Sequence, residues 1–130
     1  ANCGVGASDL LRTILGMSEA DSESLLIAKG NAGIPKYHDG HIHYDGTPEL
    51  MGEYAVLARN AGATIIGGCC GTMPEHLKAM RAALENSEKG SRPSMEEITA
   101  AMGAFSSASD GTDGAGPAAA PRRGRRAPRT

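Results

Sequence analysis

Three cysteines carry most of the chemistry this chain can do. Cys3 stands alone near the start, and Cys69 and Cys70 are adjacent within Gly67-Gly68-Cys69-Cys70-Gly71. An odd number of cysteines, two of them neighbours, does not make a disulfide framework. A bond between neighbours would close a strained ring, and the two-residue spacer of a redox pair is missing. Three thiolates brought to one place hold Zn²⁺ and leave a fourth tetrahedral position open. In a regular strand Cys69 and Cys70 would point to opposite faces, so sharing a metal requires the backbone to leave extended geometry there. Gly67, Gly68 and Gly71 are expected to supply that freedom. A second group is His38, His41 and His43, beside Tyr37, Asp39, Tyr44 and Asp45. Imidazoles at this spacing suit either a solvated polar loop, a substrate contact or a metal.

The elements that must position these groups follow from periodicity. Ala1 to Gly6 reads as a loop leaving a strand. Ser8 as cap and Asp9 as first-turn acid open a short helix with Leu10, Leu11, Ile14 and Leu15 on one face, closed by Gly16. Leu25 to Ala28 reads as a buried parallel strand without alternation. Gly30 to Gly46 reads as a long polar loop. Thr47-Pro48-Glu49 opens a helix with Leu50, Met51, Tyr54, Ala55 and Ala58 inward and Gly62 at its end. Ala63 to Ile66 is a second buried strand. Thr72 and Glu75 suggest a capping box for a helix carrying Leu77, Met80 and Leu84 inward, and Ser94 caps one more helix to about Met102. Strands alternating with helices imply parallel β/α units, whose carboxyl edge is where such folds place their chemistry.

The 130 residues are too few for a whole β/α barrel, which needs about 200–250. Residues 1–116 hold eight basic and fifteen acidic side chains, a net of −7, while residues 117–130 carry +5 from five arginines. A basic surface spread over a folded face is absent, so no specific nucleic acid is expected as a partner, and the Arg-rich end reads as a solubilising tail. No apolar run approaches the roughly 20 residues of a membrane span. A secretory signal is not seen, an initiator Met is lacking, and reduced thiols fit a cytoplasmic setting. The missing Met suggests a true N-terminus further upstream. From about Phe105 onward the Ser, Gly, Ala, Pro and Arg composition reads as disordered.

Gly67-Gly68-Cys69-Cys70-Gly71-Thr72-Met73-Pro74-Glu75-His76 closely resembles the signature of the zinc-dependent homocysteine S-methyltransferase family. Asn2-Cys3 resembles its upstream strand ending. Asn31-Ala32-Gly33 with Pro35 resembles the loop after its seventh strand, and Thr47-Pro48-Glu49 the following helix start. The resemblance runs from residue 1 to about Leu84. It implies an α/β fold in which this chain is the C-terminal part of a (β/α)8 TIM barrel, from the end of strand 6 to helix 8. Residues 1–87 would be the barrel portion, 88–103 an extra helix and linker, and 104–130 a disordered tail. It further implies Zn²⁺ on Cys3, Cys69 and Cys70, with homocysteine and a small methyl donor such as betaine or S-methylmethionine as partners, and methionine as product. Asn2, Asn31 and His38 are the expected substrate contacts, and His76 is expected to be structural. The family's N-terminal Asp-Gly-rich motif has no counterpart here, so the chain alone is expected to be inactive. The competing reading is a non-catalytic zinc module completed by His38, His41 or His43.

Overall fold

The structure, a computed structural model, describes residues 1–106. The disordered stretch expected further on lies, from residue 107, outside the described residues. The fold is a mixed α/β arrangement of parallel β/α units. Its elements are α1 (Ala7–Ala20), β1 (Ile27–Gly30), β2 (Lys36–His38), β3 (His41–His43), α2 (Pro48–Ala61), β4 (Ile65–Gly68), α3 (Pro74–Glu85) and α4 (Met95–Met102).

β1 and β4 pair in parallel, Ile27 opposite Ile65 and Gly30 opposite Gly68. On the other side of β1, Asn2 forms a parallel bridge with Lys29. The chain entering at Ala1 therefore runs beside β1, and β1 lies between the segments that carry Cys3 and Cys69.

Both strands sit two residues later than their apolar runs predict. The runs themselves are only half buried: in β1, Ala28 and Gly30 face the core while Ile27 and Lys29 are exposed. In β4, Ile65 is exposed as well. Helices cover one face of this two-stranded sheet, so the burial alternates as a pleat requires, and the expectation of strands buried on both faces fails.

α1 continues four residues past Gly16 to Ala20. A single glycine inside a helix costs only about 1 kcal/mol, and packing of the helix outweighs it. Its N-cap is Gly6 rather than Ser8. Ser8 and Asp9 are inside the first turn and buried. There Asp9 pairs with Arg12 and accepts the Ser106 N–H.

The core gathers Leu10, Leu11, Ile14 and Leu15 of α1, Met51, Tyr54, Ala55 and Ala58 of α2, Ala28 of β1, Met80 of α3 and Ile98 of α4. Leu77, expected inward, is exposed. The buried face of α2 is largely alanine, which lets it lie close to the sheet. Gly52 does the same against α3, where a Cβ would come to 3.4 Å from the Ala79 carbonyl. Thr47 caps α2 through its hydroxyl, and Gly62 ends it at φ 115°, as the sequence predicts.

α4 and its approach close over α1. The Arg92 guanidinium donates to the Leu15 carbonyl at 2.7 Å and to Ser18 Oγ at 2.8 Å. Phe105 lies under the Arg12 guanidinium at 4.4 Å, so Phe105 and Ser106 are both held against α1.

Tyr54 is the one large polar side chain in this core. It is fully buried, and its hydroxyl accepts the Gly30 N–H at 3.1 Å. Burial pushes its pKa well above the ordinary tyrosine value, so it stays a neutral phenol. Tyr54→Phe leaves the Gly30 N–H buried without an acceptor and is expected to cost about 1–3 kcal/mol. Amide hydrogen exchange at Gly30 should accelerate, and an unchanged rate would show that the bond contributes nothing.

Candidate metal centre

Cys3, Cys69 and Cys70 meet at the carboxyl ends of the parallel strands. Cys3 Sγ lies 3.5 Å from Cys70 Sγ, and Cys69 Sγ lies 4.0 Å from Cys70 Sγ. All three sulfurs are within 4.8 Å of one another. A tetrahedral Zn²⁺ with bonds near 2.3 Å holds its sulfurs about 3.8 Å apart. The donor set and spacing therefore fit that ion without rearrangement of the chain. Among the described residues no other group of three His, Cys, Asp or Glu side chains comes so close.

Backbone pairing makes this convergence. The Cys3 N–H donates to the Lys29 carbonyl at 3.0 Å, and the Lys29 N–H to the Ala1 carbonyl at 3.0 Å. Across the sheet, the Cys69 N–H donates to the Gly30 carbonyl at 2.9 Å. The Ala32 N–H returns to the Cys70 carbonyl at 3.0 Å. At Cys3 the chain turns through the left-handed region, φ 59°, followed by Gly4 at φ 77°. A non-glycine residue there is strained, and the strain sits on a candidate ligand.

The glycines around Cys69 and Cys70 do different work from what the sequence suggests. Gly67 and Gly68 belong to β4 and are not a flexible hinge. Gly68 is required by close approach, since a Cβ would fall 2.1 Å from Thr72 Oγ1. Only Gly71, at φ 76°, provides the turn, and a Cβ there would strike the Tyr44 ring carbons at 2.3 Å. The N-cap of α3 is Met73, one residue beyond Thr72. His76 takes the role expected of Glu75: its Nδ1 accepts the Met73 N–H at 2.9 Å. That leaves Nε2 to carry the proton and donate to the Gly46 carbonyl at 2.8 Å. His76 is thus a buried strut between α3 and the segment preceding α2.

Asn31 is buried beneath the thiols. Its Oδ1 accepts the Cys70 N–H at 3.1 Å. Asn2 is exposed and contributes through its backbone bridge to Lys29. His38 is not part of the thiol cluster. It projects from an exposed strand, paired with Asp39 at 3.3 Å, its ring 6.5 Å from that of His43.

The segment from Gly30 to Gly46 is not wholly a loop. β2 and β3 form an antiparallel hairpin whose turn, Asp39 at φ 50° and Gly40 at φ 79°, is a two-residue primed turn. Asp-Gly between Lys36-Tyr37-His38 and His41-Ile42-His43 was the available signal. The hairpin's legs cross where the Gly46 N–H donates to the Ala32 carbonyl at 2.9 Å. A Cβ on Gly46 would come within 2.4 Å of Ala32 backbone. Emerging from the hairpin, Tyr44 packs on Gly71. Burial first, and the Cys70 thiol next, push its phenol above the ordinary range. Nothing in the sequence pattern distinguished Tyr44 from its polar neighbours.

The family model described as homocysteine S-methyltransferase matches residues 1–84, in a partial match to that model. The chain belongs to the homocysteine S-methyltransferase family. The matched span includes all three cysteines, Asn31, Tyr44 and His76, and ends within α3.

The three thiols are not equivalent without a metal. The Gly4 backbone N–H, then the Cys70 and Cys69 thiols, hold the Cys3 pKa below the ordinary cysteine value. Cys69 is pushed up, first by Cys3 and then by burial. Thiolate is the nucleophile, so in metal-free protein near neutral pH iodoacetamide should modify Cys3 before Cys69. The pH at which Cys3 reacts at half its maximal rate should lie below that of Cys69. Peptide mapping after timed quenching reads the order, and Cys69 reacting first would contradict it.

Proposed function

We propose that residues 1–87 are the C-terminal β/α units of an eight-stranded barrel, and that their cysteine cluster holds Zn²⁺ for methyl transfer to homocysteine. The observation that carries this reading is the meeting of three thiols at the carboxyl ends of parallel strands within the family match.

The sheet supports the barrel placement. Among the described residues β4 pairs with β1 alone, and Ile27 and Ile65 stand side by side on a face that none of the described helices covers. In a closed barrel each strand has two neighbours and the inner face is filled by side chains. An apolar sheet face and a free edge are what a segment of such a barrel exposes.

Cys3, Cys69 and Cys70 would hold the ion and leave one tetrahedral position for a substrate sulfur. The metal supplies one thing there, the thiolate form of that sulfur at neutral pH. The chain's own residues fix the geometry. Asn31 holds the Cys70 backbone and faces Cys3, Tyr44 covers Cys70, and His76 anchors the turn through Gly46. In the transfer, the homocysteine sulfur forms a bond to a methyl carbon of an activated donor such as betaine or S-methylmethionine. The donor's carbon–nitrogen or carbon–sulfur bond breaks, its electron pair stays with the departing amine or sulfide, and methionine results.

A cobalt-substituted sample tests this. Cys3→Ala, Cys69→Ala and Cys70→Ala should each lose tightly held metal. Homocysteine should change the thiolate-to-cobalt absorption of the unaltered site and leave a fully protein-ligated site unchanged. A spectrum indifferent to homocysteine would indicate a closed, structural site. Residues 1–130 expressed alone should form no methionine from homocysteine with any donor. Cooperative unfolding together with turnover by that chain would overturn the barrel placement.

A further inference from the structure

Lys29 is a cation on the exposed sheet face, beside Asn2 and the apolar pair Ile27 and Ile65. It lies on the exposed side of β1, between the Asn2 bridge and Gly67 of β4, on the face shared by Ile27 and Ile65. Its stem runs across β4: a Cβ on Gly67 would be 3.7 Å from Lys29 Cγ and 3.9 Å from Cδ. Gly67 thus lies beneath the stem at ordinary van der Waals distance.

Other basic side chains of the body are engaged. Arg12 pairs with Asp9, Lys36 with Asp45, Arg81 with Glu85 and Arg92 with Glu19. Arg59 donates to carbonyls following α3. The Lys29 ammonium has no hydrogen-bond or ion-pair partner among the described residues. Lys78 and Lys89 also lack one, but they stand on the solvent side, on α3 and in the loop after it. An ammonium on a surface destined for enclosure is costly unless an anion meets it.

Position says which anion. Lys29 is opposite Gly67, and Cys69 follows two residues later, just past the end of β4, where its N–H extends the ladder to the Gly30 carbonyl about 6–7 Å further along. A lysine ammonium reaches about 6 Å from its Cα. In homocysteine the carboxylate is separated from the sulfur by three carbons, about 4–5 Å. A molecule with its reacting end at the cysteines can therefore set its carboxylate over Lys29.

We propose that Lys29 is the carboxylate anchor of the site, holding an amino-acid-type substrate whose reacting end lies at Cys3, Cys69 and Cys70. The proposal rests on the function inferred above. The carboxylate belongs either to homocysteine or to a zwitterionic methyl donor, and both present the same chemistry to the ammonium.

The experiment uses the barrel-complete protein that carries this chain, loaded with cobalt. Homocysteine is titrated beside 3-aminopropane-1-thiol, which lacks only the carboxylate. For an acceptor carboxylate, the unaltered protein should prefer homocysteine about 10- to 100-fold, the range of a charged hydrogen bond. Lys29→Met should erase that preference while leaving the aminothiol's affinity in place, and Lys29→Arg should restore part of it. For a donor carboxylate, Lys29→Met should leave both thiols unchanged. It should then raise KM for glycine betaine by the same factor and spare trimethylsulfonium.

Either pattern supports the anchor. Equal losses for carboxylate-bearing and carboxylate-free ligands, or no loss for any, would overturn it and make Lys29 a structural cation. If neither thiol alters the unaltered cobalt spectrum, the open-site reading itself fails and the anchor with it.

Discussion

The parallel register of Ile27–Gly30 against Ile65–Gly68 is the constraint on which the rest depends. Backbone bonds extend that ladder past the strand ends, from Cys69 to Gly30 and from Ala32 to Cys70 on one side, and from Cys3 to Lys29 on the other. Side chains have little part in bringing the thiols together. A slip of one residue in either pairing would turn Lys29 or Cys69 to the opposite face and separate sulfurs that now lie 3.5 and 4.0 Å apart. The site is therefore a property of the sheet before it is a property of the cysteines.

The register is held from behind by a layer in which small residues matter as much as large ones. Ala55 and Ala58 let α2 approach β1 closely enough for Tyr54 to reach the Gly30 N–H, two residues from the Ala32 contact to Cys70. Arg59 then ties the C-terminal end of α2 to the end of α3 through the carbonyls of Leu84, Ser87 and Glu88. At the other end, His76 joins the first turn of α3 to Gly46. α2 and α3 are thus linked at both ends, and the Cys69-Cys70 turn spans the short gap between β4 and α3. Hydrogen bonds from Cys69 to Gly30, from Ala32 to Cys70 and from Cys70 to Asn31 Oδ1 resist movement of that turn and keep the adjacent thiols in place.

The sequence was legible where one local rule decided the outcome. Thr47-Pro48 and Gly62 bound α2, Ser94 opens α4, and two adjacent cysteines among glycines point to the place where the three thiols meet. It misled where tertiary contacts overrode the local signal. Gly16 did not stop α1, because Leu11 and Ile14 before it are fully buried. Gly68 suggests flexibility but answers to Thr72, a neighbour no pattern could name, and Gly67 is a strand residue. The strands were placed two residues early because apolar runs mark where burial begins, while hydrogen bonding runs on into Lys29-Gly30 and Gly67-Gly68. The hairpin was missed for a different reason. Its Asp39-Gly40 turn is a strong signal, but its strands are three residues long and exposed, each with a single apolar residue, Tyr37 or Ile42, between polar neighbours.

The metal-free cluster is an unstable arrangement of charge, and this links binding to folding. Sulfurs 3.5 to 4.0 Å apart cannot all ionise without strong repulsion, and the hydrogen bonds among them already treat the thiols unequally, the Gly4 N–H and its neighbours holding Cys3 down while Cys3 and burial push Cys69 up. A divalent cation removes it, because each added thiolate then meets a positive charge. The three ligands come from chain segments separated by β1, α2 and the hairpin, so an ion that joins them also joins Ala1–Cys3 to β1 and β1 to β4. Metal affinity is in such a case partly folding free energy. The two-stranded sheet with its bare Ile27 and Ile65 face has little other cross-strand support. Zinc in this site would consequently serve the register that creates the site, and loss of the ion should loosen Asn2 and Cys3 first, since that short segment meets the sheet only along Ile27 to Lys29, through the Asn2 bridge and the Ala1 ammonium on the Ile27 carbonyl, among the described residues.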